Sequence, residues 1–225
     1  MLIVEDLLLL LTSDDGTPES VLTPKRYGYV AAVVTDLVLA ERVTLSDDRD
    51  PRVTVISTEP TGHRALDPAL QRLVEKDGAK LSSLLHDRKL TPEEDTVASL
   101  ADAGIISIEE RRMLGLVPEK HPVQDPAPER EVREHLRTAL SGGSITLHEA
   151  SLLSILAGLD VAYKVLDEES GGLDKRSLKK RIEEVTSSVE SSGPVNATVK
   201  RAVDSMNAAL ITATIIPAAT GGYSG

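Results

Sequence analysis

The sequence contains no cysteine, no phenylalanine and no tryptophan, and only 4 of its 225 residues are tyrosine. Without cysteine the chain can form no disulfide, zinc–thiolate site or thiol nucleophile. Its core must consist of Leu, Val, Ile and Ala, and base stacking on aromatic side chains is largely excluded. A chain of this length buries roughly 70% of its unfolded surface, so it needs no disulfide or metal to fold.

Positive charge is scarce, because 25 Lys and Arg residues stand against 36 Asp and Glu residues. The formal net charge is −11 and the isoelectric point lies near 5.0. Nucleic acids and anionic membranes both attract proteins with an excess of Lys and Arg. Contact with an anionic surface must therefore come from local basic patches, and we expect no nucleic-acid partner.

An export signal and long hydrophobic runs are missing as well. The apolar opening at residues 2–11 has its first charges at Glu5 and Asp6, where a signal peptide carries Lys or Arg. A helix that spans a membrane needs about 20 predominantly apolar residues. Residues 27–45 are interrupted by charges, and residues 208–219 are too few. We expect a cytoplasmic protein without a transmembrane segment.

Helix start signals recur along the chain. Thr-Pro at residues 23–24 predicts a helix that continues to about Glu41, and Asp-Pro at residues 67–68 predicts one that ends near Lys76. In both cases the first residue can cap the helix and the proline occupies its first turn.

Capping boxes at residues 91–94 and 146–149 predict two further helices, the second of which runs to about Leu166. From Asp174 onward, four apolar residues repeat at helical spacing on one face: Leu178, Ile182, Val185 and Val189. A last helix is predicted from about Pro194.

Strand signals are few and fall in two pairs, each around a polar loop: residues 42–45 with 53–56, and residues 105–108 with 113–117. Four prolines in residues 118–128 predict an extended connector. We therefore predict a mainly α protein, a single compact helical domain with two small β-hairpins. The domain is expected to cover residues 1–220, followed by a flexible tail at residues 221–225.

No pattern typical of catalysis is found. The five histidines lack the helical spacing of metal ligands, and neither the H-E-x-x-H motif nor the G-x-x-x-x-G-K-[ST] phosphate loop occurs. Ser-Gly-Gly-Ser at residues 141–144 precedes a predicted helix start, which can hold an anion or form a plain flexible joint. We expect no enzymatic activity, no metal and no cofactor.

The helix at residues 91–104 and the hairpin after it have the order of a winged helix, a DNA-binding arrangement. However, this helix contains four acidic residues and no Lys or Arg, so it would repel the duplex. We interpret the order as architectural.

One basic cluster stands out in the predicted helix that follows Asp174. Five of seven residues are basic there: Lys175, Arg176, Lys179, Lys180 and Arg181. The cluster is either a patch that faces anionic lipid headgroups or an ordinary solvated helix face that nearby carboxylates partly neutralise.

Several segments, in order, resemble the Golgi phosphoprotein 3 family. The most specific is PTGHRALDPAL at residues 60–70, which is similar to the family's P-T-G-D-x-x-L-D-x-A-L segment. The resemblance extends from about Leu2 to Ile215, and the other segments that carry it are residues 4–10, 36–43, 100–106, 121–123 and 150–166.

The resemblance implies a mainly helical domain with a short hairpin. Eukaryotic members of the family dock on Golgi membranes from the cytosol by binding phosphatidylinositol 4-phosphate, and they retain glycosyltransferases through the cytoplasmic tails of those enzymes. The lipid pocket of the family uses one tryptophan and several arginines, since guanidinium groups match phosphate oxygens.

This sequence departs from the family at the lipid pocket. The tryptophan position falls at Val21 or Leu22, and the arginine positions fall near Val30, Leu90 and Glu93. Neighbouring bases are our candidates for a lipid headgroup: Lys25, Arg26, Arg88, Lys89, Arg111 and Arg112. In the second predicted hairpin, the apolar candidates for insertion into a membrane or a partner are Met113, Leu114 and Leu116, for which burial in the core is the alternative.

The resemblance implies a non-enzymatic peripheral membrane adaptor, and the absence of the eukaryotic N-terminal extension indicates a bacterial homologue. The expected partners are an anionic phospholipid on the cytoplasmic membrane face, and a protein or a second copy of the chain. The alternative is a cytosolic protein–protein scaffold without lipid affinity.

Overall fold

The computed structural model of the chain describes residues 1–13, 15–16, 25–48, 50–90, 92–109 and 120–189. Within these residues the chain forms nine α-helices and one two-stranded sheet. The helices are α1 (Ile3–Leu10), α2 (Lys25–Leu39), α3 (Asp67–Glu75), α4 (Leu81–Leu85), α5 (Glu93–Asp102), α6 (Ala127–Leu140), α7 (Leu147–Gly158), α8 (Ala162–Val165) and α9 (Lys175–Ser187). The strands are β1 (Val43–Leu45) and β2 (Val53–Val55). The predicted mainly α class is confirmed.

Helix α1 lies at the centre of the core. All of its residues are buried, including Glu5 and Asp6, and it packs against α2, α5, α6 and α7. The leucines near the start of the chain therefore belong to the hydrophobic core. Buried carboxylates are costly unless they are paired or hydrogen-bonded, so Glu5 and Asp6 require partners from the surrounding helices.

Helix α2 packs closely on α1 and also contacts α7. A Cβ atom at Gly28 would lie 2.6 Å from Cδ1 of Leu159 and 3.3 Å from Cδ2 of Leu7. Both leucines are fully or almost fully buried. A larger residue at this position would therefore force the Leu159 side chain to move where the three segments meet.

The first predicted hairpin is confirmed. Strands β1 and β2 pair antiparallel, with Val43 opposite Val55 and Leu45 opposite Val53. Val43, Leu45 and Val53 are buried, whereas Thr54 is exposed. The alternating pattern thus turns one face of the ribbon towards the core.

The second predicted hairpin has different pairing. Ile106 forms an antiparallel bridge with Val123 and Glu109 forms one with Lys120, so the partner of residues 105–108 comes from residues 120–123. The prediction assigned residues 113–117 to that role, placed Glu109 in the loop and made residues 118–128 a connector. That assignment is wrong, because Glu109 and Lys120 exchange backbone hydrogen bonds and the Ser107 amide donates to the carbonyl of Pro122. Proline has no amide hydrogen, but its carbonyl can still accept in such a pair.

The same proline-rich segment also contains the start of α6. The helix begins at Ala127, and Pro128 occupies its first turn, where the missing amide hydrogen of proline costs nothing. The predicted connector therefore ends earlier than expected.

Helix α7 begins as predicted and ends early. Its first turn has the capping box of Thr146 and Glu149. The predicted end at Leu166 is wrong, because α7 stops at Gly158 and Asp160 adopts a left-handed φ of 59° before the short helix α8. An aspartate tolerates this conformation better than most residues, so the left-handed position needs no glycine.

Helix α9 confirms the pattern found after Asp174. The Asp174 carboxylate caps the helix by accepting hydrogen bonds from the amides of Arg176 and Ser177 at 2.9 and 3.0 Å. All four apolar residues of the repeat are buried: Leu178, Ile182, Val185 and Val189.

Several predictions fall outside the described residues. They are the caps at Thr23 and Thr91, the helix from Pro194, and the tail at residues 221–225. Within the described part of the chain, no helix has both the length and the apolar character needed to cross a bilayer.

Candidate anion-binding site at the start of α2

An aromatic contact joins two of the predicted basic pairs. The ring of Tyr27, in the first turn of α2, lies 5.2 Å from the ring of His86, at the end of α4. Lys25 and Arg26 immediately precede Tyr27, and Arg88 and Lys89 follow shortly after His86. The fold thus places segments that are distant in the sequence on one side of the molecule.

Arg26 has an unusual environment. Its guanidinium carbon lies 5.3 Å from the centre of the Tyr27 ring, a cation–π contact. Its Nη1 atom is buried and has no hydrogen-bond partner among the described residues. A buried donor without an acceptor is costly, and guanidinium nitrogens bind phosphate and carboxylate oxygens particularly well. Arg26 is therefore held in place with one donor that no described residue satisfies.

Lys25 connects the site to the end of α1. Its Nζ atom donates a hydrogen bond of 2.6 Å to the carbonyl oxygen of Leu11, the residue that ends α1. The ammonium group therefore stabilises the negative end of the helix dipole.

Arg88 and Lys89 extend from an exposed turn between α4 and α5. Arg88 lies two residues beyond His86, so at most about 7 Å of backbone separates them. The turn is anchored by Asp87, which accepts a hydrogen bond from the Lys89 amide at 2.9 Å and pairs with Arg72 at 2.7 Å. Both interactions lower the pKa of the Asp87 carboxyl below its ordinary value, although burial acts in the other direction.

An acidic residue borders this basic site. Glu93 begins α5, and burial raises the pKa of its carboxyl while the charges on Lys25 and His121 lower it. Those charges offset the effect of burial only in part, so the pKa of Glu93 stays above its ordinary value. The acidic side chain therefore reduces the net positive charge available to an anion at Lys25.

The remaining candidates lie elsewhere or outside the described residues. The hairpin candidates fall within residues 110–119, which the structure does not describe: Arg111, Arg112, Met113, Leu114 and Leu116. The described residues next to this segment, Lys120 and His121, lie beside residues 15–16. Lys120 pairs with Asp15 at 2.9 Å, and the His121 amide donates to the Gly16 carbonyl at 3.2 Å.

The basic cluster of α9 is partly neutralised. Lys175 pairs with Asp160 at 2.6 Å, and Lys180 and Arg181 both contact Glu184. Arg181 also donates to the carbonyl of Leu140 at the end of α6, beside the Ser-Gly-Gly-Ser loop. These contacts support the interpretation of α9 as a solvated, structural face.

Neither Tyr27 nor His86 belongs to a sequence pattern that predicts a site. Tyr27 adjoins Arg26 and His86 lies close to Arg88, but only the packing of α2 against α4 brings the two rings together. Within the described residues, no group of three or more His, Asp or Glu side chains could hold a metal ion.

Comparison with known proteins supports the family resemblance. No curated protein matches the chain. The family model described as Golgi phosphoprotein 3 (GPP34) matches residues 3–206, nearly the whole sequence. On this match the chain belongs to the Golgi phosphoprotein 3 family.

Proposed function

We propose that this protein is a non-enzymatic peripheral adaptor that binds an anionic phospholipid headgroup on the cytoplasmic face of a membrane. The proposed contact is formed by Arg26 together with Lys25, Arg88 and Lys89. Membership of the Golgi phosphoprotein 3 family supports the adaptor role. The headgroup specificity of the eukaryotic proteins is not transferred, because the residues of their pocket are replaced here.

The proposal rests mainly on the environment of the Arg26 side chain. Its Nη1 atom is buried without a partner among the described residues, while the Tyr27 ring holds the guanidinium group in position. An arginine with a fixed orientation loses little entropy when it binds a phosphate group. Arg88 and Lys89 are exposed on the neighbouring turn and can meet the surface around the headgroup.

The overall charge requires that this attraction be local. At −11, the whole molecule is repelled by an anionic surface. Charges within a Debye length of the membrane, about 10 Å at 0.1 M salt, still contribute roughly 1 kcal/mol each. Three or four bases on one side can therefore hold the protein at a membrane, weakly and in a salt-dependent manner.

The net charge favours a second candidate, a cytosolic protein–protein scaffold without lipid affinity. Glu93 beside Lys25 supports the same alternative, since a carboxylate within the basic site weakens its attraction for phosphate. Partner proteins or a second copy of the chain would then contact the surface that we assign to lipid.

Sedimentation with liposomes distinguishes the two candidates. Vesicles of phosphatidylcholine with increasing fractions of phosphatidylserine or phosphatidylinositol 4-phosphate are incubated with the purified protein at low and physiological salt. The lipid proposal predicts binding that increases with the anionic fraction and falls with salt. If the wild-type protein stays in the supernatant with every vesicle, the scaffold is the correct candidate.

Two variants locate the contact. Arg26→Gln removes the guanidinium group, and Arg88→Glu with Lys89→Glu reverses the charge of the exposed turn. Both should weaken binding, whereas the matched reversal Lys179→Glu with Lys180→Glu on α9 should not. Loss of binding only in the α9 variant would assign the contact to the C-terminal basic cluster.

A further inference from the structure

Three histidines meet carboxylates around the first turn of α1. His148 Nε2 lies 2.5 Å from Asp6 Oδ2, and His63 Nε2 lies 3.4 Å from Glu5 Oε1. His135 adds a contact of 3.5 Å with Glu149, next to His148 in the sequence. Of these contacts, the one between His148 and Asp6 is the shortest and directly joins the start of α7 to α1.

A cavity of about 330 Å³ opens beside this contact. Asp6 and His148 line it, together with Glu149 from α7 and Glu131 and His135 from α6. The side chain of Asp6 is only 7% exposed and that of His148 is 29% exposed. The cavity therefore gives solvent protons access to an ion pair that is otherwise enclosed by packed helices.

The groups that face His148 are mostly acidic. Asp6 comes from α1, Asp36 from α2 and Glu149 from α7 itself, and all three interact electrostatically with the imidazole. From α6, Glu131 and His135 line the cavity, and Met1 lines it from the start of the chain. Helices α8 and α9 also pack on α7, but none of the residues that line this cavity comes from them.

These neighbours decide when His148 carries a proton. Burial by itself lowers the pKa of His148, but the hydrogen bond with Asp6 and the charges of Asp36 and Glu149 outweigh it. The pKa of His148 is therefore raised above its ordinary value of about 6.5. The imidazole remains protonated in the folded protein at a pH where it would be neutral in the unfolded chain.

We propose that His148 and Asp6 form a proton-operated clasp between α7 and α1. While His148 is protonated, the clasp is closed and joins two core helices by an ion pair. When His148 loses its proton, the buried carboxylate of Asp6 no longer faces a cation, and the start of α7 is released from α1.

The sign of the pH dependence follows from linkage. A histidine with a raised pKa in the folded state contributes stability that is fully present below its unfolded-state pKa. That stability is lost as the pH rises through the folded-state pKa. The clasp therefore weakens from neutral to mildly alkaline pH and tightens in mild acid.

Two measurements on the full chain test the clasp. First, NMR titration of the His148 imidazole should give a pKa above that of an unstructured histidine peptide. Second, hydrogen exchange should show more frequent opening of α1 and the start of α7 at about pH 8 than at about pH 6, after correction for the intrinsic exchange rate. The opening equilibrium should increase about tenfold for each unit by which the pKa of His148 is raised.

Variants separate the clasp from general effects of pH. His148→Gln removes the titrating group and should reduce the pH dependence of α1 exchange, while His86→Gln, at the far contact with Tyr27, should leave it unchanged. Equal pH dependence in wild type and His148→Gln would overturn the proposal. If His148→Gln fails to fold, the NMR titration of the wild-type protein decides, and a His148 pKa at or below the ordinary value would refute the clasp.

Discussion

Lys25 and Asp36, both on α2, hold opposite ends of α1. The Asp36 carboxylate accepts hydrogen bonds from the amides of Ile3 and Val4 at 2.9 and 3.0 Å, and Lys25 donates to the carbonyl of Leu11 at 2.6 Å. The acid lies at the positive end of the helix dipole and the base at the negative end. The two residues thus fix α1 antiparallel to α2.

Asp36 should make the stability of the protein depend on pH. Burial raises the pKa of its carboxyl to about 7, even though the two amides and the charge on His148 lower it. A raised acidic pKa contributes stability that is lost as the pH rises through 7, so from about pH 6 to about pH 8 this group removes roughly 1.4 kcal/mol from the free energy of unfolding. Asp36→Asn should therefore flatten the pH dependence of urea unfolding.

For this variant, the quantity to compare with the wild type is the slope of the free energy of unfolding against pH. Its absolute value is not suitable, because loss of one hydrogen bond to α1 lowers stability at every pH. His148 contributes to the same slope, so Asp36→Asn should reduce it without abolishing it. Identical slopes for the wild type and the variant would show that Asp36 titrates at its ordinary pKa.

Gly16 should tolerate alanine much less well than Gly78. Both glycines have a left-handed φ, 76° and 74°. A Cβ at Gly16 would lie 2.4 Å from the carbonyl carbon of His121, whereas nothing lies within 4 Å of one at Gly78. We expect Gly78→Ala to cost about 1 kcal/mol through the backbone conformation alone. Gly16→Ala should cost several times as much in thermal or urea unfolding, and equal costs would contradict the close approach.

Much of the fold could be predicted from the sequence because helix caps and apolar spacing are local. Helix α9 is an example, since Asp174 and its four apolar residues lie within a few turns. The burial of Glu5 and Asp6 could not be predicted, because their partners His63 and His148 lie far along the chain. Val132 and Leu136 of α6 also have helical spacing, but the prolines just before them favour an extended connector, so this helix is not among the predictions.

Residues 111–116, which lie outside the described part of the chain, provide a test of membrane contact that rests on the sequence alone. Arg111 and Arg112 combine basic charge with the apolar neighbours Met113, Leu114 and Leu116, and this combination is typical of peripheral membrane proteins. We expect Arg111→Glu with Arg112→Glu to weaken liposome binding more than Lys179→Glu with Lys180→Glu. Leu114→Asp should also weaken it, and circular dichroism should show that the variant remains folded.

Unchanged liposome binding in both sets of variants would exclude residues 111–116 from lipid contact. The Arg26 site could still bind lipid in that case, so the two candidate contacts are tested separately.

The purified protein should not bind duplex DNA at physiological salt. Helix α5 begins with Glu93, Glu94 and Asp95 and ends at Asp102, so the helix that would enter the groove of a winged-helix protein is acidic. Repulsion by the phosphates should prevent a mobility shift. A salt-sensitive shift at submicromolar protein concentration would reverse this interpretation.

Only part of the candidate site could be predicted from the sequence. Arg26 and Arg88 were selected because they lie near the positions of the family's arginines, but no pattern indicated that Tyr27 and His86 would bring them to one side. A contact between rings on two helices depends on how those helices pack. That packing cannot be predicted from the local spacing of residues in one sequence.

The central position of α1 also has a consequence for biosynthesis. Asp6 is 142 residues from His148, and Glu5 is 94 residues from its hydrogen-bond partner Ser99. At about 5–20 residues per second, a ribosome needs roughly 10–30 s to add the α7 partner after α1 has been made. During that interval α1 gains its contacts with α2, α5 and α6 one after another, and it lacks α7 until the end. Completion of the core around α1 must therefore wait for α7, and until then the nascent chain exposes apolar surface of α1 that the folded protein buries.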